Sequence, residues 1–282
     1  MVSNRFRSCL KTPIGLNHGC KRAGLPFDQK ITHDFKSFEN QECIDVQHST
    51  ESKEKLDILE HGAPVDGEPQ TSDRRLYMQL QVFTGVRDVD AVSEALDQSG
   101  LDAALYLDAQ DPCGIGIVFL AESPDLFVTD IRALLNSDPF IDCTRRPEFT
   151  MLGRTYATGY EPDLEYALIT RPRDNVLNPE WPWAIWYPLR RNGAFARLDH
   201  REQRKILMEH ASIGRAYGRE DYAHDIRLAS YGLDVDDNDF VIGLIGAELY
   251  PLSRVVQDMR KTQQTALYVE SLGPFFVGKK CE

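Results

Sequence analysis

The sequence has no excess of basic residues. Its 282 residues carry 32 Lys and Arg against 44 Asp and Glu, a net charge of −12. No positive charge is left over to neutralise a phosphate backbone, so nucleic acid is not an expected partner. No apolar run approaches the ~20 residues that span a bilayer, and no membrane span is expected. The opening MVSNRFRSCL contains no apolar h-region, which argues against secretion and for a cytoplasmic chain. Cysteine is sparse and scattered. Cys9, Cys20, Cys43, Cys113, Cys143 and Cys281 form no CxxC pair. Neither a zinc site nor a redox motif is supported, and reduced thiols are the plain expectation.

The first 74 residues also lack sustained apolar periodicity. They are rich in Lys, Asp, Glu, Ser and Gln and read as a poorly ordered extension, with Ser52–His61 as a candidate short helix. From Leu76 the pattern changes. YMQLQVFT alternates and is rich in β-formers, as a strand requires. Asp90–Asp97 carries Val92, Ala95 and Leu96 on one helical face. LDAALYL and GIGIVFLA read as strands around the turn DAQDPCG. Pro124 opens a helix running through Leu135, and PEFTMLGRTYA closes the set as a strand.

The second half repeats this order. WAIWYPL is a strand and Asp199–Tyr217 a long helix. DIRLASYG and DFVIGLIG are strands, Leu252–Tyr268 is helical, and GPFFVG ends the chain's regular structure. Two β-α-β-β-α-β units predict an α+β fold: tandem ferredoxin-like units with side-by-side antiparallel sheets and helices on one face. The units fall at 75–160 and 183–282. The linker at 161–182 holds Pro162, Pro172, Pro179 and Pro182 and reads as an extended crossing.

One helix carries a candidate site. Asp199 and Glu202 form a capping-box pattern, and Ile206, Leu207, His210, Ile213, Gly214 and Tyr217 form its apolar stripe. An imidazole in such a stripe needs a partner, because burying an unpaired polar group costs roughly 1–3 kcal/mol. A backbone carbonyl could satisfy it, or a metal, since neutral imidazole is also the usual proximal haem ligand. Gly214, one turn on, would admit either a flat macrocycle or another strand.

Four segments stand in order: LNPEWPWAIWYPLRR (177–191), RKILMEHASIGRAY (204–217), ASYGLDVDDNDF (229–240) and VVQDMRKTQQTALYVESLGPFFVG (255–278). Together they resemble the chlorite dismutase family, and within it the coproheme decarboxylases. The likeness covers the second half; the first half agrees in element order. It implies His210 as the proximal iron ligand and Tyr187 as a radical relay to a propionate. It implies Arg191, with Arg190 beside it, as propionate anchors. The implied cofactor or substrate is haem b or coproheme. The implied reaction is oxidative decarboxylation of iron-coproporphyrin III with hydrogen peroxide, in a homo-oligomer, commonly a homopentamer.

The sequence departs from the family at two places. The glutamate that usually holds the proximal histidine corresponds to Gln263, whose neutral amide would pull less on the imidazole. The distal position corresponds to Asp225, with Arg227 two residues on and so on the same strand face. A carboxylate there would repel chlorite yet could take a proton from peroxide. Arg154, Tyr156 and Tyr160 alternate near the end of the first unit and could line a porphyrin edge or pack the sheet. Trp181, Trp183 and Trp186 read as packing. Three rivals remain: a chlorite-decomposing or peroxidase-type enzyme, a haem-binding protein without turnover, and a ferredoxin-like oligomer that binds no haem.

Overall fold

The computed structural model describes residues 56–281. The expected extension therefore divides. Residues 1–55 lie outside the described residues, and with them part of the candidate helix at Ser52–His61. The remainder folds against the body. β1 (Glu60–His61) and β2 (Thr71–Ser72) pair antiparallel. The Glu60 carboxylate accepts from Arg154 at 3.0 Å and from the Ala157 amide at 2.8 Å. The Gln70 side chain donates to the carbonyls of Ala63, Glu161 and Pro162. A segment with little apolar content is ordered here by side-chain-to-backbone bonds, which periodicity does not register.

The first half comprises β3 (Tyr77–Thr84), α1 (Val89–Ser99), β4 (Ala103–Asp108), β5 (Ile115–Ala121), α2 (Asp130–Leu134), a two-residue β6 (Thr144–Arg145) and β7 (Met151–Arg154). Asp88 caps α1 by accepting from Ala91 N, and Gly100 ends it at φ 65°, the left-handed position that glycine takes without steric cost. The helix expected from Pro124 to Leu135 is broken. A 3-10 turn at Pro124–Phe127 stops at Val128 and Thr129, and α2 restarts at Asp130. Two adjacent β-branched residues disfavour continuation, and Thr129 sits outside helical geometry at ψ −95°. Likewise PEF forms a 3-10 turn before β7 begins.

The linker is helical rather than extended. A π-helical turn at Tyr166–Thr170 runs into α3 (Arg171–Leu177). Pro172 lies in the first turn of α3, where its missing N–H is not needed. The second half comprises β8 (Trp183–Arg191), α4 (Gly193–Ala196), α5 (His200–Arg219), β9 (His224–Ala229), β10 (Phe240–Gly246), α6 (Leu249–Met259), β11 (Val269–Leu272) and β12 (Phe276–Lys280). The helix expected to reach Tyr268 stops at Met259. A π-helical turn at Gln264–Tyr268 and the additional strand β11 follow it.

Each half orders its strands as a ferredoxin-like unit, β7-β3-β5-β4 and β12-β8-β10-β9, all antiparallel. The two sheets lie side by side and meet at both margins. Tyr106 to Asp108 of β4 pair with Gly278 to Lys280 of β12, and Arg154 of β7 pairs with Ala229 of β9. The strands thereby close into a ring, which leaves fewer free edges. Alternate residues enter its interior: Met78, Leu80, Tyr106, Val118, Leu120, Trp186, Ile226, Leu228 and Phe276 are buried there together. Glycines make room for the large rings. A Cβ on Gly116 would lie 2.3 Å from Phe276, and one on Gly243 2.7 Å from Trp186. The helices cover the outside. α1 and α2 bury Val92, Leu96 and Ile131 against Leu105, Ile117 and Phe119. α6 buries Leu252 and Val255 against Ile185, Tyr187 and Leu244. Each such side chain contributes roughly 1.5–3 kcal/mol.

Candidate functional site

The outer wall of the second half presents a row of side chains. Antiparallel register places Tyr187 of β8 opposite Ile242 of β10, and Ile242 opposite Arg227 of β9. Extending the β7–β9 pairing by two residues from Arg154–Ala229 brings Tyr156 beside Arg227. The next row is Ile185, Leu244 and Asp225. Because Ile226 and Leu228 point into the ring, Asp225 and Arg227 share the outer face with Tyr187. His224 points the other way, stacked on Trp181 at 3.4 Å. Trp186 packs inside the ring and Trp183 against the outer cluster.

α5 faces this wall. Asp199 caps it, accepting from Glu202 N at 2.8 Å. Near its far end the Tyr217 hydroxyl donates to Asp258 of α6 at 2.9 Å. Of the expected apolar stripe only Ile206 is buried. Leu207 is 39% exposed and its neighbour Met208 49%. His210 is half-buried. Burial lowers its pKa and Arg227 adds to this, against opposing contributions from Asp225 and Glu209. Its Nδ1 lies 3.3 Å from Thr262 Oγ1. Nε2 has no hydrogen-bond partner among the described residues.

The residue beside the imidazole is thus Thr262, not Gln263. α6 ends at Met259, and Thr262 is drawn in because both its hydroxyl, at 2.8 Å, and its backbone N–H, at 3.1 Å, donate to the Met259 carbonyl, an acceptor with no partner inside the helix. Gln263 has an exposed side chain; its backbone N–H donates to Glu209 at 3.0 Å. A Cβ on Gly214 would meet only Met259 Cε at 3.5 Å, an ordinary contact, so no strand presses on it.

The cations differ in availability. Arg227 forms an ion pair with Asp225 at 2.9 Å, and the two side chains are 48% and 42% exposed. Burial alone would lower the Arg227 pKa, but Asp225, Tyr156 and Glu161 outweigh it and the net shift is upward. Arg191 lies between the rings of Phe195 and Phe240, 4.7 Å from each centroid. Its guanidinium donates to Tyr231 Oη at 3.1 Å and stands 3.7 Å from Asp239. Arg190 turns outward to Asp237. Arg154 is taken up by Glu60, away from the Tyr187–Arg227 row. The Tyr187 ring stacks on Phe275 at 4.7 Å. Burial pushes its phenol well up, helped by Asp225 and opposed by Arg260. Tyr156 is also raised, by burial first, against Arg227 and Arg191.

Sequence reasoning singled out neither Thr262 nor Tyr231. Tyr156 carried a legible signal in its alternation with Arg154. The assembled parts are an imidazole with one unpartnered nitrogen, close enough to Arg227 and Asp225 of the wall to be influenced by both, a buried phenol, and cations at the margin. They can coordinate a metal centre in a flat apolar group and bind carboxylates at its edge. The donor set and the half-buried helix face fit an iron porphyrin.

These features and the fold define a ferredoxin-like α+β protein with a one-histidine site. The chlorite dismutase family model matches residues 87–281, and the chain belongs to that family. Its fold resembles that of a heme-binding protein from Thermus thermophilus, with 18% identity, 74% of this chain and 92% of that one covered, and a TM-score of 0.59. It also resembles the chlorite dismutase of Candidatus Nitrospira defluvii in complex with imidazole, at 16% identity, 75% and 93% coverage and a TM-score of 0.56. At such identities the likeness is one of fold. No curated protein matches the chain by sequence. Among the described residues no helix is long and apolar enough to cross a membrane.

Proposed function

We propose that this chain binds an iron porphyrin between α5 and the outer wall of the second half, where His210 would hold the iron. The reaction we assign is peroxide-dependent oxidative decarboxylation of iron-coproporphyrin III to haem b. The observation that carries this reading is the row Tyr187–Ile242–Arg227 on the wall that α5 faces. When bound, the iron supplies the site at which peroxide is reduced. For each of two propionates the balance is R–CH2CH2COOH + H2O2 → R–CH=CH2 + CO2 + 2 H2O. The carboxylate leaves as CO2, the side chain loses two electrons and two protons, and peroxide takes them up.

The chain's own residues suit these tasks. His210 offers Nε2. Tyr187 keeps its proton at neutral pH as tyrosines do, burial raises its pKa further, and it can give up an electron and a proton together. Arg191 is held against two aromatic rings, and its planar fork is suited to receiving a carboxylate. Asp225 and Glu161 both act on Arg227. With that cation counted, the three side chains sum to a negative charge. A neutral oxidant is not penalised there, whereas chlorite would meet a cation already paired. The assembly that goes with this reading is a homopentamer.

A second reading is favoured by Arg227 itself. It projects on the face where a chlorite-decomposing or peroxidase-type enzyme would require it. A non-catalytic haem binder is favoured by the neutral partner of His210. Peroxide titration of the coproheme-loaded protein, followed by mass analysis of the porphyrin, separates the three. The expected result is loss of two carboxyl groups. Tyr187→Phe should bind coproheme with an unchanged Soret band and fail to convert it. Conversion at the wild-type rate overturns the assignment, and chlorite consumption in its place selects the second reading.

A further inference from the structure

We infer that Thr262 fixes the tautomer of His210 and thereby decides which ring nitrogen is offered to a ligand, an inference that rests on His210 being the iron ligand. A hydroxyl has one proton to give. Thr262 Oγ1 lies 2.8 Å from the Met259 carbonyl, which can only accept, and 3.4 Å from the Thr265 hydroxyl. The Thr265 amide, also at 3.4 Å, can only donate to it. The proton therefore goes to Met259, and the oxygen keeps lone pairs for its other neighbours.

His210 Nδ1 is one of those neighbours, at 3.3 Å. With the hydroxyl proton committed elsewhere, a hydrogen bond forms across this gap only if Nδ1 carries the hydrogen. A neutral ring protonated at Nδ1 has a bare Nε2. That nitrogen is the one with no partner among the described residues. The helix-end carbonyl of α6 thus orients Thr262, and Thr262 orients the ring. Thr262 is a positioning residue with two consequences. The ring presents Nε2 before any ligand arrives. The acceptor behind it is neutral and distant, so the imidazole keeps its own N–H proton and gives the iron less electron density than a carboxylate-backed ring would.

The test uses the full chain carrying 15N-labelled histidine, first without porphyrin and at a pH where the ring is neutral. The His210 signals are those absent from His210→Gln. The expected spectrum has Nδ1 protonated and Nε2 unprotonated. Thr262→Ser should preserve it, and Thr262→Val should shift it towards a mixture of tautomers. In the haem-loaded protein Thr262→Val should weaken haem binding about 10-fold, and Thr262→Glu should lower the iron reduction potential. A wild-type ring protonated at Nε2, an unchanged ring in Thr262→Val, or an unchanged potential in Thr262→Glu overturns the inference. If the tautomer is as stated but His210→Gln binds haem with unaltered affinity and spectrum, the ligand assignment falls instead.

Discussion

The two halves of the ring share one strand order and differ in how their outer faces are closed. In the first half, the 11-residue α1 buries Val92 and Leu96, and α2 adds Ile131. Phe83, Leu105, Ile115, Ile117 and Phe119 of the sheet are sealed beneath them. In the second half, α5 is 20 residues long and buries Ile206 alone. The wall it faces is polar at one end, with Asp225 and Arg227 where the first half has apolar side chains. One topology therefore carries two helices packed closely on one side and, on the other, α6 packed on its sheet beside a longer and more exposed α5. α5 reaches α6 through the bond from Tyr217 to Asp258 and through Ile213 and Tyr217, which are only partly buried against the cluster that holds Leu252 and Val255. His210 stands, half-buried, on this more exposed helix.

The largest expected effect tests whether this difference concerns haem at all. His210→Ala should reduce haem affinity by more than the ~10–100-fold that loss of an outer partner costs, read by Soret titration. Circular dichroism of the chain should stay unchanged. Equal affinity in the variant would break the comparison, leaving the open face of α5 without a porphyrin to explain it.

Next come paired truncations. Leu96 is 7% exposed and Leu207 is 39% exposed. Leu96→Ala should cost about 2–4 kcal/mol in urea unfolding, the usual range for a buried leucine. Leu207→Ala should cost under about 0.5 kcal/mol in the chain alone, as surface changes do. In the haem-loaded protein the Leu207 cost should rise if that side chain is covered by the ligand. Equal costs without haem would mean that α5 is packed as tightly as α1.

A smaller effect distinguishes two neighbours at the margin of the site. Arg191 is clamped between aromatic rings, whereas Arg190 is 40% exposed and tied to Asp237, itself 74% exposed. Losing a charged hydrogen bond costs about 1.5–3 kcal/mol, so Arg191→Gln should weaken coproheme binding about 10-fold. Arg190→Gln should change it less than about 2-fold, since exposed ion pairs contribute little. Esterifying the propionates should abolish the difference between the variants.

The fold was largely legible because its signals are periodic. Alternation marked β3, the apolar segments WAIWYPL and DFVIGLIG marked β8 and β10, and the capping pattern at Asp199 marked the start of α5. Where the sequence reading failed, the cause is local and aperiodic. The break at Val128–Thr129 is a backbone event. The helical linker follows from where Pro172 falls within a turn. The order of residues 56–74 depends on Glu60 and Gln70 reaching partners about 90 residues away. At the site, His210 stood out as a polar residue in an apolar stripe. The family correspondence points to Gln263 behind the ring, whereas the side chain found beside it is that of Thr262. Which residue faces inward there is decided by the bonds from Thr262 to the Met259 carbonyl, and a carbonyl at a helix end leaves no mark in composition.

The seam between the halves gives the smallest and most pH-specific effect. Lys280 of β12 pairs with Tyr106 of β4, and its Nζ donates to the Asn178 carbonyl at 2.5 Å. Burial lowers its pKa from 10.5 to about 8. The folded chain therefore releases this proton at lower pH than the unfolded chain does. Between pH 8 and 10.5 the unfolded state binds more protons, so this group makes stability rise with pH across that window. Below pH 8 both states hold the proton and the cost of burying the charge is fully present. The expected gain is about 1 kcal/mol, well under the full shift, because water still reaches the ammonium and screens it. Urea midpoints measured from about pH 7.5 to about pH 10 should show this rise relative to Lys280→Met. That variant removes the titrating group and should be the more stable chain at the low end of the range. A wild type that tracks the variant at every pH would mean that Lys280 is solvated, and that the β4–β12 margin is looser than the ring implies.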